Sequence, residues 1–287
     1  MLRTINITFT LLIAALFFVG CTEDEDVMPT AETNPFETVV DGDETTFIFN
    51  FAPEIIQFEN LEAPFVKEGR GRNAPITGRF RLFDFLSGDT IPFVDSLNMD
   101  WDIAFRGTQV LVNGGTQTGL NDEPERTSGV RAFLLRDSLN GQAVDFSTFD
   151  LSSIREVTAS NFVQDGQTTD ADGNPVLAIG SWREKDQDWI TTQGPTSRFV
   201  PLNQVYFIET RSGDYVVMRF TSTYEGYEFQ DEQWEADWQA ATDLYNSFEQ
   251  DSDGNRIDEN GNVVSPGDIF PSSSVITFDY AYFDIPE

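Results

Sequence analysis

The sequence predicts an all-β domain, mainly antiparallel, with one inserted helix. Three observations predict it. Phe is unusually frequent at 26 residues, beside 21 Gly and 13 Pro, a composition that favours strands and turns over helix bundles. From residue 46 to 224 nearly every apolar segment is short or alternating, as strands are. Only residues 231–248 carry apolar side chains at helical spacing. No period of solenoid or propeller length repeats.

At the N-terminus Arg3 is the only charge before residue 23, and Leu11 to Val19 (LLIAALFFV) is an apolar core of signal-peptide length, too short to span a bilayer. It runs into Gly20-Cys21, which resembles the bacterial lipoprotein box: cleavage before Cys21, then acylation of the new N-terminus. Residues 1–20 are therefore expected to be a signal peptide, and Cys21 the lipidation site. With one Cys in the chain no internal disulfide can form, so an exported domain must be stable on its core alone. Several acyl chains give stable attachment to the outer membrane, where one would be marginal. The acidic run Thr22 to Asp26 resembles an export tag for the cell surface. Residues 21–45 read as an acylated N-terminus with an acidic tether.

Residues 46–287 are expected to form one β domain. Thr46 to Ala52 (TFIFNFA) alternates. In Met99 to Gly115 (MDWDIAFRGTQVLVNGG), Trp101, Ile103 and Phe105 alternate with Asp102 and Ala104, the pattern of a half-buried strand that puts the three large residues on one face. Gln109 to Val112 continues as strand, and Asn113-Gly114-Gly115 supplies a sharp turn. Thr127 to Leu135 is a further strand, with short candidates at 160–166 and 176–182 and a turn at Asp172-Gly173-Asn174. Gln204 to Tyr224 reads as a hairpin turning at Arg211 to Asp214. In Asp231 to Phe248, Trp234, Trp238, Ala241, Tyr245 and Phe248 form one apolar helical stripe, expected to pack on the β core. Residues 225–272 separate that hairpin from a last aromatic strand, Val275 to Phe283 (VITFDYAYF).

Charge narrows the function. Net charge is −32, and −33 once residues 1–20 are removed, which argues against nucleic acid or anionic lipid as partners. It also suits a high-salt habitat. Lys67, Arg70, Arg72, Arg79 and Arg81 cluster within fifteen residues, an anion-binding candidate for propionate or sulfate groups. Internal neutralisation by neighbouring acids is the alternative. There is no histidine, which removes Ser-His-Asp triads, Cys-His dyads and His-based zinc sites, and no nucleophile elbow or phosphate loop appears. The chain is not expected to be an enzyme. Glu249, Asp251 and Asp253, followed by Gly254, approximate the start of a calcium loop, with Glu259 as a closing acid one residue early. Asp258 to Asn262 reads instead as another hairpin turn.

Met99 to Gly115, with its Trp-Asp-Ile-Ala-Phe strand and Asn-Gly-Gly turn, resembles the signature of the HmuY family of bacterial heme-binding surface lipoproteins. Phe80 to Ile91 (FRLFDFLSGDTI) is similar to that family's early strand, Ser-Gly turn and next strand. The Gln204 to Tyr224 hairpin and the terminal aromatic strand follow in the family's order, and since the family has a short connection between them, the resemblance implies that residues 225–272 are an insertion. The resemblance implies a ligand-binding protein at the cell surface, heme or another tetrapyrrole as ligand, and a TonB-dependent receptor as partner. Heme iron takes axial ligands from His, Met, Cys or Tyr. Here that leaves Met99, Met218 and seven tyrosines, with packing as the alternative role of both methionines. A structural or adhesion lipoprotein that has lost heme capture is the competing reading.

Overall fold

The computed structural model describes residues 34–63, 66–67, 76–93, 100–135, 138–139, 142–146, 148–180, 190–193, 198–202, 204–226, 232–265, 269–270 and 275–285. In chain order the strands of its three main sheets are β1 (Phe36–Asp41), β2 (Glu44–Phe49), β3 (Glu54–Glu62), β4 (Arg81–Asp84), β5 (Asp89–Ile91), β6 (Ile103–Arg106), β7 (Gln109–Val112), β8 (Arg131–Leu135), β9 (Glu156–Ala159), β10 (Val205–Glu209), β11 (Tyr215–Ser222) and β12 (Val275–Phe283). A five-stranded sheet runs β8-β10-β11-β12-β3, a four-stranded sheet β5-β4-β6-β7, and a three-stranded sheet β1-β2-β9. Every pairing within them is antiparallel. Among the described residues the chain is mostly antiparallel sheet with a single α-helix, as its composition predicts.

The five-stranded sheet is apolar on both faces, and strand alternation sorts its side chains between two cores. Tyr206 and Ile208 of β10, Val216, Met218 and Phe220 of β11, and Phe278, Tyr280 and Tyr282 of β12 share one core with Phe83, Ile103, Phe105, Val110 and Val112 of the four-stranded sheet. The alternate residues Val205, Phe207, Val217, Ala281 and Phe283 share another with Phe47 and Phe49 of β2 and Val157 and Ala159 of β9. The second core is largely aromatic: Phe49 stacks on Phe283 with ring centroids 4.0 Å apart. A near-continuous apolar strand is what burial on both faces demands. VYFI in β10 and YVVM in β11 satisfy it.

The four-stranded sheet is also covered on its outer side, where Phe80, Leu82, Trp101, Ala104, Leu111 and Leu177 cluster. This corrects the expected half-buried strand. Trp101, Ile103 and Phe105 are all fully buried, but Ile103 and Phe105 face the five-stranded sheet while Trp101 packs on the outer cluster. Asp102 and Arg106 are buried as well. Nor does one strand continue through Val112: β6 turns at Gly107-Thr108, Gly107 with φ +55°, and returns as β7 with Ile103 opposite Val112.

Two further expectations change. Residues 36–45, expected in the tether, form the β1–β2 hairpin, with Phe36 stacked against Tyr215 at 5.5 Å. Residues 160–166 and 176–180 make single bridges rather than strands: Val163 with Ala132, Asp165 with Gly115, and Gly180 with Val110; residues 181 and 182 lie outside the described residues. The hairpin turning at 211–214 and the strand–turn–strand at 81–91 form as read.

The helix, α1 (Glu232–Ser247), carries the expected stripe from Trp234 to Tyr245 and ends before Phe248. Its buried face is not on the β core. Trp234 and Trp238 pack with Tyr224 and Phe270 in a separate cluster, flanked by Ala241 and Tyr245. No basic residue lies in its last turn. Arg256, from the following turn, supplies that charge. Its Nη1 donates to the carbonyl oxygens of Phe248 (2.6 Å) and Asn246 (3.2 Å), the groups a helix C-terminus leaves unpaired. Among the described residues no helix is long and apolar enough to cross a membrane.

Candidate functional site

The Trp101–Gly115 stretch builds a buried polar frame. The Asp102 carboxylate accepts from the backbone N–H of Phe85 (2.9 Å) in the β4–β5 turn and of Arg211 (2.8 Å) in the β10–β11 turn. Beside it Asp84 accepts from Ser87 N–H (3.1 Å) and pairs with Arg211 Nη2 (3.2 Å). Burial, with Asp84 adding to it, pushes the Asp102 carboxyl up to about 7 against the two backbone hydrogen bonds. Asn113 donates from Nδ2 to Trp101 O (2.8 Å), and its Oδ1 accepts from Thr127 N–H (2.8 Å). Gly114 and Gly115 are there because nothing larger fits. A Cβ on Gly114 would lie 1.9 Å from Val130 O, and one on Gly115, whose φ is +91°, 2.0 Å from Asp165 O.

Asp165 is a second buried node. It accepts from Val112 N–H (3.0 Å) and Ala178 N–H (2.8 Å) and pairs with Arg126 Nη2 at 3.0 Å, where both side chains are at most 2% exposed. Burial pushes its carboxyl up to about 6, opposed first by Arg126. Arg126 also pairs with Glu123 at 3.0 Å. Arg106 lies over the Phe80 ring at 4.1 Å and donates from Nε to Gln109 (2.9 Å) and from Nη1 to Gly78 O (3.0 Å). These groups hold loops together, although Arg106 Nη2, Arg126 Nε and Arg211 Nε are buried without a hydrogen-bond partner. Asp84, Asp165, Arg126 and Arg211 were not singled out in the sequence. An acid or a cation inside an apolar run was the available signal for Asp84 and Arg106. None existed for Asp165, which lies in a loop.

Of the candidate ligands, Met218 is fully buried in the core between Tyr206 and Tyr280 of the neighbouring strands. It packs rather than facing a ligand. Met99, Cys21, Arg70 and Arg72 lie outside the described residues, and of Lys67 only the backbone is described, paired with Ile76. Arg79 is exposed. Arg81 pairs with Glu62 at 2.8 Å, the internal neutralisation that was the alternative reading. Of the five cations, Arg79 and Arg81 are the two whose side chains are described.

The four calcium candidates do not converge. Asp251 closes its own turn, accepting from the N–H groups of Asp253 (2.9 Å) and Asn255 (2.8 Å) and from Asn255 Nδ2 (3.0 Å). Glu249 sits in a two-residue strand, and Glu259 lies within the next turn. That turn is the one expected at 258–262: Asp258 accepts from Asn260, Asn262 and Asn262 Nδ2 in the same way, as does Asp170 from Asp172, Asn174 and Asn174 Nδ2. Local hydrogen bonds, first those of the Asn side chains, hold all three leading carboxyls below the usual carboxylate range. Among the described residues no group of three or more acids is placed to hold a metal ion. The calcium-loop expectation is corrected: the spacing belongs to two successive Asx-type turns.

Three clefts are lined by described residues. One of about 720 Å³ lies beyond α1, between Ser247 to Glu249 and Ile257 to Gly261. Another of about 420 Å³ is bounded by Leu139, Val144, Phe149 and Asp150. The third, about 360 Å³, opens between β3 and Arg81 with Thr90. None contains Met, Tyr or Cys.

No curated protein sequence matches the chain. Three solved structures are similar. A candidate lipoprotein of Bacteroides fragilis NCTC 9343 is 13% identical, over 90% of this chain and 99% of that one, with a TM-score of 0.33. A candidate HmuY-like heme-binding protein of Bacteroides vulgatus ATCC 8482 is 15% identical over 87% and 97%, with a TM-score of 0.31. The apo form of an HmuY analog of Tannerella forsythia is 12% identical over 82% and 96%, with a TM-score of 0.25. The sequence model of the HmuY protein family matches residues 80–238. That match spans more than half of the 287 residues and includes both the Trp101–Gly115 frame and the hairpin it grips, so the chain belongs to the HmuY family.

Proposed function

We propose that the chain is a lipid-anchored protein of the outer-membrane surface that binds a ligand and catalyses no reaction. The observation that carries this reading is the family match over residues 80–238. The lipobox-like Gly20-Cys21 and the acidic run behind it support the location, and a TonB-dependent receptor is the partner such a protein would serve. Heme or another tetrapyrrole is the family-implied ligand. Ligands for heme iron are scarce among the described residues: the chain has no histidine, Met218 is inside the core, and the three clefts described above carry no Met, Tyr or Cys. Met99 is the remaining candidate among the two methionines. A thioether suits reduced iron, and the charge of −33 opposes a propionate-bearing ligand except near Lys67 to Arg81.

Titration of the purified protein with hemin, followed at the Soret band under oxidising and reducing conditions, tests the proposal. Binding should be tighter on reduction. Met99→Ala should weaken it about tenfold or more, ~1.4 kcal/mol, while Met218→Ala should lower stability and leave affinity alone. Tight ferric binding untouched by Met99→Ala would transfer ligation to a tyrosine. That scarcity favours a second reading, a β scaffold kept for structure or adhesion. An absent spectral change in both oxidation states would select it.

A further inference from the structure

The meeting point of the β4–β5 and β10–β11 turns contains more negative charge than its partners balance. Asp84 and Asp102 lie together, and among the described residues Arg211 is the one cation paired to either. Both oxygens of Asp102 already accept backbone hydrogen bonds, and Arg211 Nη2 is given to Asp84. Tyr280 of β12 stands beside them with its hydroxyl buried and without a hydrogen-bond partner. A Cβ on Gly88 would lie 3.4 Å from that oxygen. The other charges that reach Tyr280 are Glu54 of β3 and Asp89 of β5, both negative. Two buried carboxylates against one partly exposed guanidinium leave one uncompensated charge. A proton on Asp102 cancels it.

We propose that Asp84, Asp102 and Arg211 form a proton-holding joint, so that the grip between the two turns weakens as pH rises through the neutral range. The composition of the chain makes such a joint visible. With no histidine, no side chain titrates between pH 5.5 and 8.5 at its ordinary value, apart from the thiol of Cys21 near the upper end. Asp102 and Asp165 are the described carboxyls raised toward that window. The sign follows from linkage. A carboxyl whose folded pKa is raised binds its proton more tightly when folded. Its charged form therefore costs stability above the folded pKa, and that loss is recovered as pH falls toward the unfolded value near 4.

Thermal unfolding of the full chain at pH 5.5 and 8.5 should show a higher Tm at pH 5.5. Asp102→Asn, which keeps the shape of the protonated acid, should shrink the difference. Asp165→Asn removes the other contributor and should leave the Asp102 share in place. Amide exchange at Phe85 and Arg211 should lose protection about tenfold or more from pH 5.5 to 8.5, beyond the intrinsic rate change. Carboxyl ¹³C NMR of the unmutated protein reads the joint even if Asp102→Asn does not fold. A midpoint for Asp102 near neutrality supports the proposal. A midpoint below 5, or a pH dependence of Tm that Asp102→Asn leaves intact, overturns it.

Discussion

The buried frame around Asp102 and Asn113 and the aromatic cluster under α1 solve the same problem differently. Each ties a loop-rich segment to a scaffold. The frame uses hydrogen bonds and close backbone approach: Asp102 to two turns, Asn113 to two segments, Gly114 against Val130. The cluster uses apolar area, with Trp234, Trp238, Tyr224 and Phe270 in ring contact and Arg256 closing the helix end. Backbone hydrogen bonds and sub-contact distances tolerate almost no change of residue, whereas stacked rings tolerate size and lose strength by degrees. The recognisable family stretch therefore marks architecture. It identifies the family without identifying a ligand site.

Three substitutions probe that difference, from the harshest downward. Gly114→Ala should abolish cooperative folding, because backbone rather than a movable side chain stands 1.9 Å from the new Cβ. A loss above about 4 kcal/mol is expected, read as absence of a sharp unfolding transition. A near-normal Tm would show that the frame is plastic. Trp238→Ala should cost about 3 kcal/mol within the cluster. Circular dichroism should lose the helical signal while the β transition survives, and coincident loss of both would make the cluster part of the main core. Arg256→Ala should cost about 1 kcal/mol through the uncapped helix end. Faster amide exchange confined to the last turn of α1 would show it, and unchanged exchange there would remove Arg256 from the account.

Much of this fold could be read before any coordinates. The hairpin at 204–224, the β4–β5 turn and α1 each have a local cause: turn residues between apolar runs, or a stripe of period 3.6. What could not be read depended on what lies across the sheet. Alternation in Trp101 to Phe105 reads as inside against outside, but both sides are inside, so the polar member Asp102 is buried with the rest. The β1–β2 hairpin escaped notice because β1 is an edge strand, exposed almost throughout, in an acidic stretch. For the site, Met218 was legible as a core residue from its neighbours Val216 and Phe220. The calcium spacing misled because a carboxylate that closes a turn and one that holds a cation occupy the same sequence positions.

β12 is the last of the twelve main strands to be synthesised, yet it lies inside the five-stranded sheet, joining β11 to β3. Until it arrives β3 has no neighbour in that sheet, and both cores lack the side chains that β12 contributes. Closing the sheet must wait for contacts that span almost the whole domain, which are the slowest kind to form. A polypeptide wired in this order stays open while it is being made.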